Sequence, residues 1–260
     1  MVTPVLFAGL LGIAFVAGGV DAMVGGGGLI QVPALFSALT DSRPATVLAT
    51  SKLAGLLGTA SAATRYVRSV RLPWATLVPA VGAAFLASLG GAITVSHVSP
   101  SLFRPLVPVM LSVVLLYTLL RRDLGEVHAP RALDRRAQWA GTLLVAAIGY
   151  YDGFFGPGTG SFLMVLFVRY YGFDFVHAAA AARVVNVATN ATALCWFTWH
   201  DPPLWPLGLS MAAANVAGAQ LGARLALRGG VRLVRAAFVA VVALLIVKTG
   251  WDVLHAAMAR

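Results

Sequence analysis

Four charged residues stand where charge is costly, inside apolar sequence, and they come in two matched pairs. Asp21 precedes the run Gly25-Gly26-Gly27-Gly28 by four positions. Asp152 precedes Gly156-Pro157-Gly158-Thr159-Gly160 by the same distance. Lys52 and Arg183 each lie well inside a later apolar run, residues 44–66 and 174–199. The two acids are 131 residues apart, and so are the two bases. Ions at such a depth in an apolar chain need partners and mark functional sites by default. Four glycines in a row unwind a helix and expose free amides at the start of the next one. Such an N-terminus binds anions through its N–H groups and its partial positive charge. Neither glycine run is a nucleotide loop, since no lysine follows and no strand precedes it.

The cations could snorkel to an interface. Finding both at one matched position favours binding or pairing, with the two converging on one anion. For Asp21 and Asp152 three roles stay open: capping the following helix, pairing with the cations, or carrying a proton as coupling ion. Gly55 and Thr59, and likewise Asn186 and Asn190, share one helical face with Lys52 and Arg183. That face serves either helix-to-helix hydrogen bonding or a wall for a polyoxygen anion. The candidate substrate-binding set is therefore Gly25, Gly26, Gly27, Gly28, Lys52, Gly55, Thr59, Gly156, Gly158, Thr159, Arg183, Asn186 and Asn190.

The scaffold that positions these residues reads as membrane-embedded. Of 260 residues, 59% are hydrophobic and 11% charged, with a mean hydropathy of +0.85. A soluble domain carries about 25% charged residues. The net charge of +10 sits in short arginine clusters between apolar runs. That pattern fits loops facing anionic lipid rather than nucleic acid. One cysteine, Cys195, excludes an intrachain disulfide. The five histidines lack any HxxxH or HxH spacing, so no metal centre and no cofactor are expected. The first twenty residues lack a basic start and match the second copy (Gly18 on Gly149). They are expected to be retained rather than cleaved.

The 131-residue offset runs on without gaps: Trp74 falls on Trp205, Gly91 on Gly222, Arg104 on Arg235. It divides one integral membrane domain into a first repeat (1–120), a linker (121–136) and a second repeat (137–260). The expected segments are 4–20, 25–39, 44–66, 73–96 and 101–120, then 137–151, 157–172, 174–199, 204–227 and 231–254. The first two of each repeat fall short of the ~20 residues of a full span. They read as short tilted spans or as a re-entrant hairpin. An odd number of crossings per repeat inverts the second repeat. Inversion also gathers the arginine-rich loops 65–71, 121–136 and 224–235, with Arg169, on the cytoplasmic side. Both termini then lie outside the cytoplasm.

The paired glycine-rich breaks after Asp21 and Asp152, the length and the duplicated halves resemble the sulfite exporter TauE/SafE family of bacterial membrane permeases, over essentially the whole chain. The resemblance implies export of sulfite, sulfoacetate or a related organosulfur anion across the bacterial inner membrane. Pro157 and Thr159 stand where the first copy has Gly26 and Gly28, so the two half-sites should not be equivalent. The expectation is an all-α, multi-pass secondary transporter with inverted repeats, working by alternating access around a site at their interface. An anion channel, or a permease for another small anion or metabolite, is the alternative. An intramembrane enzyme built on Ser161 and His177 is set aside, because no base stands at helical spacing from Ser161. The lipid bilayer and a small anion are the expected partners. A coupling ion and a homo-oligomer stay open.

Overall fold

The computed structural model describes residues 3–120, 129–131 and 133–229. The last apolar segment (231–254), Arg232, Arg235 and most of the linker lie outside them. Nine helices and no strand occur among the described residues. The first repeat holds α1 (Pro4–Val24), α2 (Gly28–Ala38), α3 (Pro44–Val67), α4 (Trp74–His97) and α5 (Pro100–Leu120). The second holds α6 (Arg135–Phe154), α7 (Thr159–Arg169), α8 (Phe175–His200) and α9 (205–229). The helix starts at 4, 28, 44 and 74 recur at 135, 159, 175 and 205, each 131 residues on.

Local sequence explains the boundaries. Thr3 caps α1 by accepting from Leu6 N, and Pro4 follows at the first helical position, where its missing N–H costs nothing. Asp134 and Asp174 cap α6 and α8 by accepting from Ala137 N and His177 N. The first helix of each repeat is longer than its sequence suggests. α1 runs for 21 residues and α6 for 20, about 30 Å each, which is a full crossing length. Gly18 and Gly19 do not break α1. It stops only at Gly25, in the left-handed conformation at φ 75°, which glycine adopts without strain. The second helices, α2 and α7, are 11 residues each. Only one member of each expected short pair is short.

The repeats interlock reciprocally. α1 packs on α9, and α6 packs on α4, through glycines that face backbone. A Cβ on Gly149 would come within 2.7 Å of Ala84 O, and one on Gly18 would run into Asn215 O. These are the same contact under the 131-residue offset. Gly153 faces Ser88 O, and Gly218 faces Phe15 O. α3 and α8 lie together and run antiparallel. Arg43 at the start of α3 meets Asp201 at the end of α8 at 2.7 Å. Arg183, near the start of α8, lies over the ring of Tyr66 at the end of α3.

The outer surface is apolar: Phe15, Val78, Leu86, Leu143 and Leu209 are exposed, far more than water tolerates on a monomer. Pro4–Val24 and Trp74–His97 are both long and apolar enough to cross a membrane.

The glycine contacts predict opposite responses to one added methyl. Gly153→Ala or Gly218→Ala should destabilise the protein by about 1–3 kcal/mol or more, as overpacking does. Gly12→Ala and Gly82→Ala meet nothing within 4 Å and should be neutral or stabilising by up to about 1 kcal/mol. Thermal unfolding in detergent separates the two groups.

Candidate functional site

The two glycine breaks touch. A Cβ on Gly160 would lie 2.6 Å from Gly25 Cα, and one on Gly28 would lie 3.1 Å from Pro157 Cα. Ser161 ties them by donating from N to Gly25 O (3.2 Å) and from Oγ to Val24 O (2.8 Å). Its hydroxyl therefore closes the end of α1 and is no nucleophile. His177 pairs instead with Asp174. The consequence is that the N-termini of the two half-length helices, α2 and α7, meet in the protein interior. Among the described residues, the Gly28 and Gly160 amides have no backbone acceptor.

A cavity of about 70 Å³ opens at this meeting point. From the candidate set it is lined by Gly25, Gly27, Gly28, Lys52, Gly55, Thr59, Gly156, Gly158, Asn186 and Asn190, with Asp21 and Asp152. Gly26, Thr159 and Arg183 do not line it. Thr159 instead donates to Asp152 Oδ1 (3.1 Å).

The two matched cations reach across the repeats in the same way. Lys52 donates from Nζ to Asp152 O (2.6 Å), Asp152 Oδ1 (3.3 Å) and Asn190 Oδ1 (3.1 Å). Arg183 donates to Asp21 O (2.8 Å), to Ala22 O and to Ala179 O. Each cation thus meets carbonyls at the C-terminal end of the other repeat's first helix. Apart from the Asp21 carbonyl, which also accepts from Gly25 N, those carbonyls lack intrahelical donors, and all carry the negative end of the dipole. The surroundings then differ. Arg183, 3% exposed, is stacked on Tyr66 at 4.3 Å and turned away from the cavity. Lys52, 5% exposed, and Asp152, 2% exposed, form a buried ion pair in its wall. The expected convergence of both cations on one point is therefore not what the geometry shows, because the α1 carbonyls and Tyr66 hold the guanidinium elsewhere.

The acids differ as well. Asp152 has the Lys52 ammonium and the hydroxyls of Thr159 and Thr189. Asp21 accepts from Gly27 N (3.4 Å) and Thr59 Oγ1 (3.1 Å), both neutral groups.

Two lining residues escape a search for matched polar positions, Gln31 and Asn215. At the 131-residue offset they fall on Phe162 and Ala84, as Ser51, a small polar residue that also lines the cavity, falls on Ala182. Pairing the repeats hides them. The available signal was a lone amide in an apolar run, as in Ile30-Gln31-Val32 and Ala214-Asn215-Val216.

Comparison with known proteins agrees with this architecture. The family described as "Sulfite exporter TauE/SafE" matches residues 10–249. The "Probable membrane transporter protein YfcA" of Escherichia coli K12 is 34% identical over 254 residues, 97% of this chain and 92% of that protein. A "Probable membrane transporter protein" of Haemophilus influenzae is 35% identical over 88% of this chain and 89% of its own length. "Probable membrane transporter protein ORF9" of Sinorhizobium sp. is 35% identical over 96% and 94%. No solved structure matches the chain. The chain belongs to the sulfite exporter TauE/SafE family, and with it to the membrane transporters rather than to the enzymes.

Proposed function

We propose that the chain is a secondary transporter that exports a small sulfur oxyanion across the bacterial inner membrane, by alternating access around the cavity between its two repeats. The observation that carries this reading is the meeting of two helix N-termini, one from each repeat, at a cavity that holds Lys52. Both free amide ends and an ammonium favour negative charge there. Sulfite, or an organosulfonate such as sulfoacetate, is the kind of ligand these donors suit. An inside-negative potential drives a singly charged anion outward by about 2.3 kcal/mol per 100 mV, so exit needs no nucleotide.

The antiparallel course of α3 and α8, at matched places in the two repeats, supports inverted topology. So does the gathering of the basic loops. Arg131 N donates to Tyr171 O, which brings the start of α6 to the end of α7 and Arg169. Arg65 donates to Gln220, which brings the end of α3 to α9 shortly before Arg224 and Arg228. One face of the protein thus carries the described arginines of these loops. On the positive-inside rule it is the cytoplasmic face.

In a Cys195→Ser background, Asp41→Cys and Pro202→Cys should react with a membrane-impermeant maleimide added to intact cells. Arg68→Cys and Arg131→Cys should react only after lysis. The reverse pattern would overturn the orientation, and a mixed one the inversion.

The substrate reading is tested by thermal unfolding of the purified protein with chloride, sulfate, sulfite, thiosulfate or sulfoacetate. A ligand at a hundredfold excess over its Kd stabilises the folded state by about 2.7 kcal/mol. Sulfite or sulfoacetate should give the largest shift, and no shift with any of the five would sink the proposal. Lys52→Gln alone leaves Asp152 buried and unpaired, at a cost of about 3–5 kcal/mol. The double variant Lys52→Gln/Asp152→Asn should recover much of that stability and still lose the sulfite shift. A channel with the same site would conduct without saturating, so saturable efflux from proteoliposomes separates the two mechanisms.

Arg183 gives the opposite result. Arg183→Lys removes the planar stack and the multiple donors, which lysine does not replace. It should lower stability by about 1–3 kcal/mol and leave sulfite affinity within a factor of a few. Equal loss of affinity in Arg183→Lys and in the Lys52 double variant would show that Arg183 reaches the substrate.

A further inference from the structure

The hydrogen-bonding direction of the cavity's neutral side chains can be read without seeing a hydrogen, because each chain starts from a group with no choice. Lysine only donates, and a carbonyl only accepts. Lys52 Nζ donates to Asn190, so Asn190 presents Oδ1 to it. Asn190 then turns Nδ2 to Asn186 and donates to its O and Oδ1. Asn186 is left with its own Nδ2 hydrogens, for which no acceptor stands among the described residues. It is 7% exposed and lines the cavity.

The second chain starts from a carbonyl and ends the same way. Ala14 O accepts from Asn215 Nδ2 (3.1 Å), which also faces Gln31 Oε1 (3.2 Å). Gln31 must therefore turn Nε2 outward, where it donates to Ser51 O (2.9 Å) and Ser51 Oγ (3.0 Å). Ser51 Oγ is thus already an acceptor. Its hydrogen does not go to the preceding turn, as those of Thr50 and Thr64 do, and it has no acceptor among the described residues. Ser51 is 8% exposed and also lines the cavity.

Lys52 meanwhile has three acceptors for its three hydrogens, all from the protein. The ammonium supplies charge, and its hydrogen bonds are spent. We propose that the ligand is gripped by the neutral donors Ser51 Oγ–H and Asn186 Nδ2–H, one at the end of each chain. The proposal rests on the anion reading above and deepens it. Two donors from different helices, α3 and α8, need a ligand with acceptors on at least two sides, which a polyoxygen anion has. The two chains are not related by the repeat, since Gln31, Ser51 and Asn215 have apolar counterparts. Recognition is therefore asymmetric in a pseudo-symmetric protein.

The test measures sulfite binding to full-length protein by titration calorimetry in wild type, Ser51→Ala, Ser51→Thr and Asn186→Ala. Ser51→Ala and Asn186→Ala should each weaken sulfite about tenfold or more, the usual effect of losing a hydrogen bond to a charged group. Ser51→Thr keeps the hydroxyl and should bind within a few-fold of wild type. Unliganded Ser51→Ala loses the Gln31 bond and should unfold only a few degrees lower, so the protein stays folded under titration conditions and recognition is read apart from folding. If wild type binds sulfite and either alanine variant binds it equally well, the donor assignment falls while the transporter reading stands. If wild type binds no oxyanion but responds to cations, both fall together.

Discussion

A helix that ends inside an apolar protein leaves its last carbonyls without donors, and no water is at hand to supply them. α1 and α6 both end this way, and the packing around them answers that constraint. For α1, the Asp21 carbonyl takes Arg183, the Ala22 carbonyl takes Tyr66 Oη and Arg183, and the Val24 carbonyl takes Ser161 Oγ. For α6, the Asp152 carbonyl takes Lys52. Apart from Tyr66 and the Gly25 amide, which also donates to the Asp21 carbonyl, these donors come from the opposite repeat. Neither repeat could bury its broken helix alone, and this makes the duplication one folding unit rather than two.

Meeting that constraint also fixes how closely the repeats approach. Donors can reach the buried carbonyls only if backbone lies against backbone, which requires glycine at Gly25, Gly160, Gly149 and Gly153. Close approach without a hydrophobic drive between helices is the usual role of small residues in membranes. Here the same glycines bring two helix N-termini face to face. Structural necessity and the candidate site thus share residues. A substitution in the breaks acts on folding and on the ligand together, whereas Ser51 and Asn186 lie outside the breaks and can be changed with the frame intact.

Much of this was legible in the chain because it was written twice. The 131-residue offset located the breaks, the cations and the starts of all four described helices of the second repeat. Two things were less visible. Helix length was misjudged because the expected segments stop before Asp21 and Asp152, whereas each helix runs on past its aspartate, whose carbonyl finds a cation from the other repeat. The roles of Lys52 and Arg183 looked equivalent because matched position was the only information. What separates them is the neighbour: Tyr66 stacks on the guanidinium, whereas its counterpart at the offset is Phe197 and Lys52 meets the Asn190 amide instead. Gln31 and Asn215 went unweighed for the converse reason, since a search for symmetry cannot find what one repeat alone possesses.

That loss of symmetry has a physical rationale. Two equivalent cations facing one small cavity would hold an anion tightly in every conformation, and a transporter must also release it. Arg183 is stacked, planar and bonded to three carbonyls, so it suits a hinge that stays closed. Lys52 carries a compact charge on a flexible stem, and its hydrogens are shared among the Asp152 carbonyl, the Asp152 carboxylate and the Asn190 amide. When the cavity is empty, Asp152 balances Lys52. On the proposed anion reading, an oxyanion in the cavity meets the Asn186 amide, and Asn190 and Asn186 carry the polarity of the ammonium to it while Lys52 keeps its own partners. The bound and empty states would then differ in charge within one wall. A ligand can shift a conformational equilibrium only through such differential interaction with its states, and on this reading the wall that holds the Lys52–Asp152 pair supplies it.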